Sequence, residues 1–139
     1  MIAAALRSRI LASSQIAGEL AQYDAGGGPA PAVFTALPAP ADCPQPLIIV
    51  SEEGGEPWGT RAKRGAEVAA VVTLRGDKSR SEKSLSELAQ QLWLQLHRAE
   101  LTLSGFAEVG CLARPPERAV DAQGFPEYRV RVTVRVLES

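Results

Sequence analysis

The sequence predicts an α+β fold: one mostly antiparallel β-sheet of about four strands, with two helical segments packed on one of its faces. Three observations lead there. Residues 66–75 and 128–136 alternate between apolar and polar side chains, as half-buried strands do. Residues 85–99 repeat their apolar positions at helical spacing, and so does the N-terminal segment. Between these stretches lie segments rich in glycine and proline, which bound elements rather than build them. At 139 residues the chain has the length of one domain, long enough to bury a core without disulfides or metals.

In chain order, residues 2–22 read as helical. Ile2, Leu6, Ile10, Ala17 and Leu20 keep an approximate stripe, and Ser13, Ser14 and Gly18 weaken the middle enough to allow two short helices with a bend. Arg7 and Arg9 interrupt the apolar run where a secretory signal would be continuous, so an intracellular, soluble chain is expected. Residues 24–46 hold six of the ten prolines and three consecutive glycines, which excludes a long helix or a central strand and suggests a surface arm. Within it Val33, Phe34 and Thr35 suit a short edge strand. The glycines are no phosphate loop, because neither an apolar strand before them nor a Lys-Ser/Thr pair after them is present.

Leu47–Val50 reads as a short buried strand, and SEEGGEPWGTRAKRGAE (51–67) as a long hairpin loop carrying Trp58 and a basic cluster at Arg61, Lys63 and Arg64. A strand then covers 66–75. Two overlapping capping boxes follow, Ser79 with Glu82 and Ser84 with Glu87, and one of them starts the helix that carries Leu85, Leu88, Ala89, Leu92, Leu96 and Ala99. Trp93 and Leu94 widen its apolar arc beyond what one sheet needs. A turn at Ser104-Gly105, a strand around 108–114, a loop through Pro115, Pro116, Gly124 and Pro126, and the strand YRVRVTVRV (128–136) complete the chain.

Fifteen Lys and Arg against sixteen Asp and Glu give a net charge of -1, so the chain as a whole is no electrostatic nucleic-acid binder. Cys43 and Cys111 form no Cys-x-x-Cys pair and have no histidine nearby, which favours free thiols over a metal or redox site. His97, at the end of the helix, lacks a partner in sequence. Glu52 and Glu53 are adjacent, and adjacent strand positions face opposite ways, so they make a poor acid/base pair. No catalytic, metal or cofactor site is assigned, and the chain is not read as an enzyme.

VVTLRGDKSRSEKSLSELAQQLWLQLHRAELTLSGF (71–106), with its strand, polar turn, helix and closing Leu-x-Leu-x-Gly, resembles the middle of the tail-terminator or tail-completion family of long-tailed phages, prophages and gene transfer agents. PLIIV (46–50) resembles the strand after that family's proline-containing loop, and Arg118–Asp121 followed by YRVRVTVRV resembles its last loop and strand. The likeness spans essentially the whole chain and departs in 24–46, which is longer than the usual connection. It implies a virion protein forming a ring, typically of six subunits, at the head-proximal end of the tail tube. Such a ring ends tube polymerisation, meets the head-tail connector or stopper protein, encloses the channel through which DNA passes, and is assembled in the host cytoplasm. Another neck component, or a small intracellular domain binding an acidic protein partner, remains the alternative.

The alternating C-terminal strand turns Arg129, Arg131 and Arg135 to one face. Cross-strand pairing with carboxylates such as Glu67 or Glu108 is the first expectation for them, a subunit interface the second, and a channel lining the third. A ring needs two unlike complementary surfaces on each protomer. Trp58, the basic cluster Arg61, Lys63 and Arg64, and an acidic run at Glu52, Glu53 and Glu56 are the further candidates for subunit or tube contact.

Overall fold

The computed structural model describes residues 2–24, 26–35, 42–59, 64–76, 82–101, 106–120 and 124–138, the side chains at 55–59, 64, 106–109 and 138 excepted. Its N-terminal segment is two helices, α1 (Ile2–Leu11) and α2 (Ser14–Glu19). Ser13 separates them. Its backbone is extended and its hydroxyl accepts from the Ile16 N–H at 3.3 Å, supplying an acceptor that the first turn of a helix otherwise lacks. The arginines inside the apolar run act as tethers: Arg7 Nε donates to the Val33 carbonyl, Arg9 Nε to that of Gln95, and Gln95 Nε2 donates back to the Arg9 carbonyl at 2.7 Å.

The described residues at and just before the proline-rich segment form three short strands. β1 (Gln22–Asp24) and β2 (Pro29–Pro31) form a separate antiparallel pair. The glycines lie in the turn between them, where Asp24 Oδ1 accepts from Gly26 N at 2.8 Å and Gly28 N at 3.1 Å; φ values of +118° and +100° there suit residues without a Cβ. β3 (Val33–Phe34) is the expected edge strand and lies parallel to the next one, β4 (Leu47–Gly59).

β4 and β5 (Arg64–Arg75) form a long antiparallel hairpin. The reading of 51–67 as a loop is therefore corrected. Glycines and Pro57 do not end the strand, because a bulge between Glu52 and Gly54 absorbs the irregularity and the pairing resumes to Gly59↔Arg64. Pro57 sits on an edge strand, where its missing N–H costs no ladder bond to a further strand. α3 (Glu82–Leu96) follows; Ser84 lies inside it, so the second capping box is not its start, while Ser79 lies outside the described residues.

β6 (Phe106–Ala113), β7 (Glu117–Val120) and β8 (Pro126–Glu138) complete the sheet. β8 pairs with β5 along one side, and β6 and β7 occupy its other side in succession, so Pro115-Pro116 interrupt one line of pairing rather than forming a plain loop. Arg114 N still donates to Arg131 O across the gap. Among the described residues the expected four strands are thus six in the main sheet, ordered β3-β4-β5-β8-β6 with β7 also on β8, plus the two-stranded pair, and the two helical segments are three helices.

The three helices of the described residues pack on one face. Ile2, Leu6, Ile10, Ile16, Leu85, Leu92 and Leu96 meet Val72, Leu74, Val130, Val132, Val134 and Val136 in the main core. A second, smaller cluster joins Ala32, Cys43, Leu47 and Ile49 with Ala21, Tyr23 and Phe34. Ile48 and Val50 belong to the first cluster and Leu47 and Ile49 to the second, so the arm covers the opposite face of β4. Both cysteines are free and buried.

Candidate interaction surface

The face of the sheet turned away from the helices carries the arginines of β8. Each lies within reach of a carboxylate. Glu67 is directly opposite Arg135, and Arg135 Nε donates to Glu67 Oε2 at 2.6 Å. Arg131 lies 3.6 Å from Glu53 and 3.9 Å from Glu117, long separations between exposed groups. Arg129 reaches Glu127 Oε2 at 3.2 Å. Cross-strand pairing with Glu67 is therefore present as expected; the Glu108 side chain lies outside the described residues.

Glu127 is the buried acid of this surface, 2% exposed. Arg75 stands opposite it in register and contacts its Oε1 through Nε at 3.1 Å and through the terminal nitrogen at 3.0 Å. Two guanidiniums on one buried carboxylate compensate its desolvation, which an isolated buried charge cannot tolerate. Extending the alternation of 128–136 backwards by one residue, and that of 66–75 to its end, would have placed Arg75 beside Glu127.

Glu52 and Glu53 do face opposite ways. Glu52 Oε1 accepts from the Ala3 N–H of α1 at 3.0 Å, at a helix N-terminus that favours negative charge, whereas Glu53, the extra residue of the bulge, reaches Arg131 on the outer face. Glu52 and Glu53 of the acidic run are thus divided between two layers, and the Glu56 side chain lies outside the description. Trp58 and Arg64 lie on the paired backbone of β4 and β5, opposite Gly65 and Gly59, with side chains outside the description; Arg61 and Lys63 lie outside it entirely.

Trp93 and His97, from the flank of α3, close the edge of β6. Trp93 Nε1 donates to Ala113 O at 3.0 Å, His97 Nδ1 accepts from Ala113 N at 3.2 Å, and the two rings stack with centroids 5.5 Å apart. Arg98 N donates to Cys111 O at 2.8 Å. Capping of this kind withdraws a strand edge from unwanted pairing. Burial pushes the Cys111 thiol up to about 11 and also raises that of Cys43.

A groove of about 640 Å³ opens beside this edge, lined by Gly110, Leu112, Thr133, Arg98, Arg114 and the Glu67–Arg135 pair among others. Leu112 is 56% exposed. Arg98 has φ +58°, a left-handed conformation that costs a residue with a Cβ roughly 1 kcal/mol and that helix ends usually assign to glycine. A second groove, of about 430 Å³, lies over Ile49, Val71 and Thr73, between Arg131 and Glu127. Sequence reasoning missed Arg98, Arg114 and Leu112, because their placement depends on how α3 returns to the sheet. Among the described residues no group of three His, Cys, Asp or Glu is placed to hold a metal ion, and no helix is long and apolar enough to cross a membrane.

No protein-family model matches the chain, and no curated protein sequence matches it. Among solved structures, the fold is similar to that of a chain in the virion of a native gene transfer agent particle, with a TM-score of 0.67 and 20% identity, over 98% of this chain and 94% of that one.

Proposed function

We propose that the protein is a structural component of a phage-like particle, a tail terminator that forms a ring on the head-proximal end of the tail tube. There it ends tube polymerisation and joins the tail to the connector or stopper on the head side. One observation carries this reading: a chain of a gene transfer agent virion shares the fold over nearly the full length of both chains. The resemblance of 71–106 to tail-terminator proteins supplies the finer role. A non-enzymatic part fits the outer face, whose charged groups mostly neutralise one another in cross-strand pairs.

Deleting the chain from a particle-producing strain and measuring tails by electron microscopy tests the role. Tails of irregular, excessive length, or tails separate from heads, are the expected result. Joined particles with tails of normal length would sink the proposal. Tails of normal length that fail to join heads would shift the assignment to a connector or stopper.

A further inference from the structure

The end of α3 stands in for a neighbouring strand on the outer side of β6. Among the described residues three hydrogen bonds make the join: the Arg98 N–H donates to Cys111 O at 2.8 Å, the Trp93 indole N–H to Ala113 O at 3.0 Å, and the Ala113 N–H to His97 Nδ1 at 3.2 Å. Cys111 and Ala113 are two positions apart, as the outward-turned residues of an edge strand are, and the next N–H, that of Arg114, turns the other way to Arg131 O of β8. Two of the three bonds use N–H donors that pH leaves unchanged. The third uses an imidazole as its acceptor, and it belongs to the chain's one histidine.

We propose that His97 is an acid-sensitive latch on this edge: it holds the Ala113 N–H while its ring is neutral and lets it go when the ring takes up a proton. A neutral imidazole has one N–H and one bare nitrogen, so acceptance at Nδ1 puts the hydrogen on Nε2. The protonated ring donates from both nitrogens and accepts at neither. Ala113 is 6% exposed, so its N–H would then face a second donor with little water to replace the lost bond. The ring has reason to stay where it is, because it stacks on Trp93 with centroids 5.5 Å apart and a cation is attracted to the face of an indole. Acid therefore reverses the polarity of one bond, and the edge of β6 draws back from it.

Other charged and titratable groups surround the ring. Arg9 of α1 reaches the Gln95 carbonyl in the last turn of α3, Arg98 and the exposed Glu100 follow His97 in sequence, and Cys111 and Arg114 come from β6, with the Glu67–Arg135 pair further across the groove. Guanidiniums stay charged at every pH in question, and burial keeps the Cys111 thiol protonated there. Among the described groups that leaves the two carboxylates besides His97, of which Glu67 is held by Arg135 at 2.6 Å. The latch gives one lateral edge of the sheet a cover that depends on pH, whereas β3 borders β4 through backbone bonds that pH leaves alone. It stands independently of the particle assignment.

Nuclear magnetic resonance on the native chain reads both halves of the latch. With one histidine in the chain, the imidazole ring protons report its titration directly, and amide exchange at Ala113, corrected for the intrinsic rate, reports the bond. Between about pH 8 and about pH 4.5 the protection of the Ala113 amide is expected to fall about 10-fold, in step with the imidazole titration, while the Arg114 amide, bonded to Arg131 O, keeps its protection. At the neutral end the ring nitrogen shifts are expected to show the hydrogen on Nε2. His97→Phe keeps an aromatic ring beside Trp93 and removes the acceptor, so its Ala113 amide should exchange about 10-fold faster at neutral pH and show no acid step. Glu100→Gln should keep the step. Ala113 protection that ignores the imidazole titration, an equal loss at Arg114, a neutral ring with its hydrogen on Nδ1, a step that survives in H97F or one that vanishes in E100Q would each overturn the latch.

Discussion

Replacing Arg75 with methionine tests whether Glu127 depends on its partners for burial. The substitution removes both contacts to Glu127 Oε1 and leaves a carboxylate whose side chain is 3% exposed with Arg129 alone, at 3.2 Å. A charge-assisted hydrogen bond contributes about 1.5–3 kcal/mol, and stranding a buried charge costs about 3–5 kcal/mol, so with one partner remaining R75M should lose roughly 2–3 kcal/mol. Arg129→Met removes a half-exposed guanidinium and should cost below about 1 kcal/mol. Glu127→Leu leaves two arginines that already reach water, and should cost about 1 kcal/mol. The double variant R75M/E127L strands no charge and should cost about 1 kcal/mol, so the two single effects should not add, with a coupling of roughly 2 kcal/mol. Urea denaturation gives the free energies, and for a chain of this size R75M should lower the thermal midpoint by about 6–10 °C. Single costs that add to within about 0.5 kcal/mol would refute the clamp.

Three other outcomes follow from particular contacts. The Cys111 thiol, pushed up to about 11 by burial, keeps its proton more firmly in the folded state than in the unfolded one. Its contribution is fully present below the ordinary thiol range and is lost as pH rises towards 11, by on the order of 3 kcal/mol; a Cys111→Ala variant should lack that part of the alkaline loss in denaturation curves. A methyl group at Gly76 would stand 2.5 Å and 2.9 Å from the two terminal methyls of Leu85, so Gly76→Ala should cost about 1–3 kcal/mol by denaturation unless α3 shifts, and Gly76→Ala with Leu85→Ala should recover the clash but not the lost packing. Trp93→Phe removes the donor to Ala113 O and should cost about 1 kcal/mol by the same measurement, with faster amide exchange along the outer edge of β6.

The parts of the fold legible in the sequence were those with a single uninterrupted period. β5, α3 and β8 each bury one stripe against the same core, so their alternation or helical spacing survives into the structure. β4 was cut short because Gly54, Gly55 and Pro57 signal a turn locally, whereas the bulge and the pairing to β5 hold them in a strand. β7 was missed for the related reason that Pro115 and Pro116 before it mark a break without showing that pairing resumes beyond them. For the outer face, the alternation of β8 identified the arginines, and register then supplied Glu67 as the partner of Arg135. Arg98 and Arg114 carry no periodic signal, since they meet only after α3 has folded back against β6.

The placement of Leu47 and Ile49 in one cluster, and of Ile48 and Val50 in the other, makes β4 a shared wall between two compartments. Its sequence is apolar on four successive positions because neither side of that wall is wet. The two compartments need not come apart together. The small one contains few side chains and is closed by the arm, so it can open at a free energy below that of the whole molecule while β4 keeps its ladder to β5. Each compartment also contains one of the two thiols, Cys43 in the small and Cys111 in the large. Labelling of the Cys43 thiol would therefore report opening of the small compartment, and labelling of Cys111 the loss of the sheet.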